Sequence, residues 1–168
     1  MLQQKRMDAL WRVASDFALD DRRLVHAALG LGAALLIPGH AFGARFGRVL
    51  GDRISIDAVN DERLPDDRMQ GEGRIPIDER HATAVARLVT ARWNDAAGAE
   101  LITPFNAGNA LYVLSFWSPR PAPRAFTSDD DGFAESIAML IGQRVQHKWD
   151  AVRERDPLEV VSLHSVAG

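Results

Sequence analysis

Side chains able to do acid–base or metal chemistry are sparse in this sequence. The five histidines, His26, His40, His81, His147 and His164, are scattered, with no pair at the spacing that sets two ligands on one helix face. There is no cysteine, which removes thiolate nucleophiles, thiolate metal ligands, disulfides and any covalently linked chromophore together. Gly30 and Gly32 form a G-x-G inside a helical stretch, without the third glycine and preceding strand that a phosphate cradle requires. No G-x-S-x-G is present to anchor a hydrolase triad. Asp129, Asp130 and Asp131 open a helix and do not form a carboxylate site. These residues predict a chain that is not an enzyme and holds no metal.

The bulk properties narrow the class further. A chain of 168 residues with 46% hydrophobic and 26% charged residues suits one globular domain with a proper core. A net charge of −3 gives nothing to attract a phosphate backbone, so no nucleic-acid partner is expected. The longest apolar run, Ala27 to Pro38, is broken by two glycines and too short for a bilayer. The N-terminus, M-L-Q-Q-K-R-M-D, lacks the apolar stretch of a secretion signal. A cytoplasmic protein with no membrane contact is the expectation.

Whatever chemistry exists must be positioned by the elements that periodicity predicts. Met7, Leu10, Trp11, Ala14 and Phe17 recur at helical spacing over residues 3–18. Asp20 caps a second helix striped by Leu24, Ala27, Ala28, Leu31, Ala34 and Leu35 and stopped by Pro38-Gly39. Phe42, Ala44 and Phe46 then alternate with Gly43, Arg45 and Gly47. After a Gly51-Asp52 turn, Ile54, Ile56 and Ala58 alternate again, so this is a hairpin. Residues 60–76 read as a loop, with Gly71-Glu72-Gly73 as its hinge, and Asp78 to about Ala91 as a helix. A strand from Glu100 to Phe105 and a turn at 106–109 lead into Y-V-L-S-F-W at 112–117. Both faces of that last strand are largely apolar, which belongs at the centre of a covered sheet. A long helix from Ser128 to about Glu154, capped by Thr127 or Ser128, closes the order. The fold class is α+β: a central antiparallel sheet with the terminal helices on one face and a helix and loop on the other.

The run I-T-P-F-N-A-G-N-A-L-Y-V-L-S-F-W-S-P-R-P-A-P-R-A-F-T-S-D-D-D-G-F, Ile102 to Phe133, resembles the end of a GAF domain. The leading segment M-D-A-L-W-R-V-A-S-D-F-A-L-D-D-R-R-L-V-H-A-A-L and the hairpin A-R-F-G-R-V-L-G-D-R-I-S-I-D-A-V resemble its first helices and hairpin. The resemblance spans about Leu10 to Trp149. It implies a PAS-like sensory module of bacterial signalling proteins with a pocket between sheet and mid-domain helix. Residues 1–155 form the single domain with its signalling helices, and 156–168 are a tail or the start of a missing output domain. Where this subgroup often has a Tyr-Cys pair after an acidic residue, the corresponding stretch here is D-E-R-H-A, Asp78 to Ala82, without the thiol, and the cysteines of GAF-type methionine sulfoxide reductases are absent.

A pocket of that kind needs a few convergent polar groups. The mid-domain helix and loop offer Arg74, His81, Thr83, Arg87, Trp93 and Asn94, and the strands offer Phe46, Thr103, Phe105 and Phe116. The ligand-binding set is therefore Phe46, His81, Arg87, Trp93, Thr103, Phe105 and Phe116, with His81 or Arg87 meeting an anionic or planar effector of unknown identity. The opposing reading has the aromatics filling the core while His81 and Arg87 are solvated. Leu10, Trp11, Val145 and Trp149 on the terminal helices suggest a homodimer, with an output domain or partner signalling protein beyond. The competing function is a ligand-free dimerisation module that regulates a kinase, cyclase or transcription factor.

Overall fold

The computed structural model describes residues 1–16, 18–36, 43–61, 73–96, 98–118 and 124–155, and for 60, 61 and 148–155 the backbone alone. The helix stop at Pro38-Gly39, Phe17, Phe42, His40, His164, the Pro-Arg loop at 119–123, the side chain of Trp149 and the 156–168 tail lie outside the described residues.

Two helices, α1 (Leu2–Ala14) and α2 (Asp21–Leu36), precede a hairpin of β1 (Gly43–Leu50) and β2 (Arg53–Asp61). A short β3 (Gly73–Pro76), α3 (Glu79–Arg87) and β4 (Ala91–Asp95) follow. The chain then continues as β5 (Gly98–Ala107), β6 (Ala110–Trp117) and α4 (Ser128–Arg155). The strands form one antiparallel sheet in the order β3-β2-β1-β6-β5-β4. The Y-V-L-S-F-W segment is thus central, hydrogen-bonded to β1 on one side and β5 on the other.

The predicted loop at 60–76 contains the edge strand β3, and the other edge strand, β4, lies between the predicted helix and the predicted strand from Glu100, where the sequence reading places no element. Each is four or five residues long, and Ile75, Ala91 and Trp93 are their inward apolar residues. Two or three apolar positions are too few to announce a period. The mid-domain helix also ends earlier than predicted, because Leu88 takes a left-handed conformation (φ 52°) and turns the chain into β4.

One face of the sheet is sealed by α1, α2 and α4 over Ala44, Phe46, Leu101, Tyr112, Leu114 and Phe116. Gly32 makes that contact close: a Cβ there would lie 2.7 Å from Phe116 and from Ile137. The G-x-G is a packing feature, as the helical context predicts. The other face carries a smaller cluster of Ile54, Ile56, Ile102 and Val113 under Ala84 of α3. A register shift places Phe46 opposite Ala58 but Gly47 opposite Ile56. Asp57 is therefore an extra residue, and Ala58 faces the helices while Ile54 and Ile56 face α3. Plain alternation put all three on one side.

The terminal helices are tied by a buried ion cluster. Arg6 of α1, 1% exposed, donates from Nη2 to Asp130 Oδ1 at 2.7 Å and to the Leu35 carbonyl at 3.2 Å. Arg124 reaches both oxygens of Asp130, at 2.6 and 2.9 Å, and the carbonyl of Leu36. Asp130 also accepts from the Thr127 N–H at 2.8 Å, which closes the first turn of α4. Burial alone would raise the Asp130 pKa, but hydrogen bonds from Arg124, Thr127 and Arg6 outweigh it and hold it at about 2. A carboxyl depressed in the folded state stabilises above its unfolded pKa of about 4 and loses that contribution as pH falls through the folded value. Asp130→Asn leaves two guanidinium groups facing each other and is expected to cost about 3 kcal/mol. Urea denaturation should also show the variant less sensitive than wild type to acidification from about pH 4 toward 2.

Candidate functional site

The two sheet faces differ in what covers them. Three helices close one; on the other the described residues place α3, nine residues long. Asp78 caps α3 by accepting the His81 N–H at 2.9 Å, and the same oxygen lies 2.7 Å from His81 Nδ1. The cap turns the imidazole inward beside Ala84 and Val85, leaving it 1% exposed. A solvated His81 is therefore not what the fold contains.

Because an ionised carboxylate only accepts, the Asp78 contact places a proton on Nδ1, and in the neutral ring Nε2 is then the acceptor. Ser115 Oγ lies 2.9 Å from Nε2, on the inward face of β6. Arg45 of β1 brings Nη2 to 3.4 Å of the same nitrogen, and Glu100 of β5 stands 3.9 Å away. Glu100 is turned toward Arg80, whose Nη1 donates to it at 3.2 Å, while Nη2 pairs with Asp95 at 2.5 Å. Arg80 lies 5.8 Å from the Trp93 ring and Arg45 5.2 Å from that of Trp117. Trp117 covers Gly43, where a Cβ would overlap the indole outright. Burial would raise the Asp78 pKa, but the His81 hydrogen bonds and the Arg45 charge pull it below the usual value. Burial lowers that of Arg45, against the charges of Glu100 and Asp78.

Two chemistries suggest themselves and are limited by this geometry. Asp78, His81 and Ser115 are ordered like a nucleophile relay, but Ser115 is 0% exposed, so its Oγ is closed to an incoming carbonyl. Asp78, His81 and Glu100 place three donor atoms within 4.8 Å of one another, as a metal site would. The Arg45 guanidinium beside Nε2 opposes a second cation there. The arrangement instead suits recognition of a negative or hydrogen-bonding group.

The predicted binding residues do not form one site. His81 and Trp93 lie on the α3 side. Phe46 and Phe105 stack with Tyr112 on the helix side, at 5.2 and 5.8 Å between centroids. Phe116 is buried against Gly32 and Ile137. Thr103 is buried on the helix side, with the Thr90 hydroxyl at 3.3 Å. Arg87 is exposed in the last turn of α3. Asn94 joins β4 to Phe126 through both amide atoms, and Thr83 bonds within its helix. A groove of about 620 Å³ does open beside Thr103 and Phe105, between β5, α4 and residues 88–90. It has room but lacks a buried charge to orient a ligand, so the α3 side is the better site on chemistry. Arg45, Glu100, Ser115 and Trp117 went unselected. For two of them a signal was present: Arg45 between Ala44 and Phe46, and Ser115 between Leu114 and Phe116, each set among apolar neighbours in a central strand.

Neither a family model nor a curated protein sequence matches this chain. Solved structures do. The GAF domain of a phosphoenolpyruvate-protein phosphotransferase from Coxiella burnetii superposes with a TM-score of 0.70 at 12% identity, over 89% of this chain and 97% of that one. A candidate GAF sensor protein from Burkholderia vietnamiensis gives 0.65 at 18% identity, over 93% and 95%. This chain has a GAF-type fold. A third GAF-like structure is the free methionine-R-sulfoxide reductase of Neisseria meningitidis in complex with its substrate, at 0.60 and 18% identity over 87% and 92%. That neighbour corrects the expectation of a chain that is not an enzyme. The same scaffold carries catalysis, so lack of activity does not follow from the GAF architecture. Among the described residues no helix is long and apolar enough to cross a membrane.

His81→Leu removes the imidazole partner of buried Ser115 and of Arg45 while keeping the backbone cap on Asp78, and is expected to cost about 2–4 kcal/mol. Exposed Arg87→Ala should stay within about 0.5 kcal/mol of wild type. Urea midpoints of the two variants check this.

Proposed function

We propose that this chain is a sensory or regulatory GAF module of bacterial signal transduction, acting in the cytoplasm, that takes a small molecule between the sheet and α3. The observation carrying this reading is the asymmetry of cover. The three-helix side packs stacked aromatics and its groove holds no buried charge, whereas the single-helix side gathers Arg45, Ser115, Glu100 and Trp117 about the buried imidazole of His81. Polar groups converging beneath one short helix are what a binding site needs, and a pure core does not.

Signal output in this reading passes through a pair of chains joined by α1. Leu10 is buried and so unavailable, but Trp11 is 73% exposed, with Met7 one turn before it and Leu2 also exposed. An apolar stripe on a helix that already packs against its own domain is the kind of surface a second copy covers. Val145 is half-buried against the core and contributes little to that stripe.

A metabolite screen read by melting temperature tests the ligand. At a hundredfold excess over Kd a bound effector stabilises by about 2.7 kcal/mol, or roughly 5–10 °C for a chain of this size. Amide resonances should then move on β1, β6 and α3. A hit whose shifts map to Phe46 and Phe105 instead would place the site on the wrong face. Light scattering should give a dimer that Trp11→Glu converts to monomer; a wild-type monomer at high concentration rules out the pairing.

A further inference from the structure

Within the cluster under α3, one member is not satisfied by its neighbours. Arg45 projects from mid-β1, and its Nε is buried with no hydrogen-bond partner. Its Nη2 reaches only a long 3.4 Å contact with His81 Nε2, a nitrogen already approached by Ser115 at 2.9 Å. Among the described residues no carboxylate forms an ion pair with Arg45. The two acids that act on its charge are engaged elsewhere: Glu100 by Arg80, and Asp78 by the imidazole and backbone of His81. Trp117 supplies the remaining contact, through its ring.

Arg6 also keeps two unpartnered nitrogens, but it is paired with Asp130; a partly buried guanidinium with no paired anion, as at Arg45, costs free energy. The guanidinium edge presents parallel N–H groups that fit two oxygens of one planar group. Charge limits the choice. Glu100 and Asp78 remain negative beside Arg45, and only Arg80 offsets them, so a singly charged oxyanion is tolerated better than a doubly charged one.

We propose that Arg45 is the ligand-recognition residue of the α3-side site and that the molecule taken there is a small carboxylate. This rests on the reading that the ligand enters under α3. Arg45 then gains an acceptor for Nε without giving up Trp117, while His81 and the fully buried Ser115 stay paired with each other behind it.

The test titrates the full chain with acetate and benzoate, each against its neutral amide, and with inorganic phosphate, followed by NMR at the Trp117 indole and Arg45 Nε–H. The carboxylates should perturb both signals and bind at least tenfold more tightly than acetamide and benzamide. Arg45→Gln should abolish the effect while leaving the melting temperature unchanged or higher, because it removes an unpaired buried cation. Arg45→Lys, which keeps the charge without the planar edge, should bind at an intermediate level. Equal binding of amides, or tighter binding of phosphate, overturns the carboxylate class but leaves the α3-side reading standing. Carboxylate shifts confined to the Phe46 and Phe105 side overturn both. An Arg45→Gln protein that melts well below wild type shows a structural role instead, and silence from every probe equally rejects the proposal.

Discussion

A sheet that is apolar on both faces must be covered on both, and this chain meets that demand very unequally. Three helices close one side around Phe116 and Phe133, with Gly32 letting α2 approach the sheet. On the other side α3 rests, through Ala84, on four buried sheet residues and on one imidazole held by Asp78 and Ser115. Every functional statement follows from that imbalance. The well-packed side supplies stability and a platform; the thin side gathers charged groups, Arg45 among them, under one short helix.

The two buried polar clusters illustrate opposite uses of a guanidinium. Arg6 faces a carboxylate that Arg124 and Thr127 also hold, and the group ties α1, α2 and α4 into one unit. Arg45 is offered no such carboxylate among the described residues. A paired buried ion fixes the fold, while an unpaired one is kept only where something else benefits.

Much of the architecture was legible because it rests on long periodic segments. The helical stripes of α2 and α4 and the doubly apolar β6 defined the α+β layers and the central strand. The edge strands were not legible, since G-R-I-P and A-R-W-N-D carry too few apolar positions, and their pairing comes from neighbours distant in sequence. The site was only half legible. His81 stood out by type, but aromatic size drew attention to Phe46, Phe105 and Phe116, which fill the helix-side core. Arg45 and Ser115 interrupt apolar neighbours, yet that they meet on the α3 side follows from the β1–β6 register, which pairs them directly and which alternation along either strand does not give.

If α3 is a thin cover over a receptive face, it must open more readily than the rest of the domain. Native-state hydrogen exchange of backbone amides measures this directly. The account predicts that amides of Ala84 and Val85 exchange through local opening, with protection well below that of Ile137 and Ile141 in α4. Equal protection in α3 and α4, with both exchanging only on global unfolding, would contradict it.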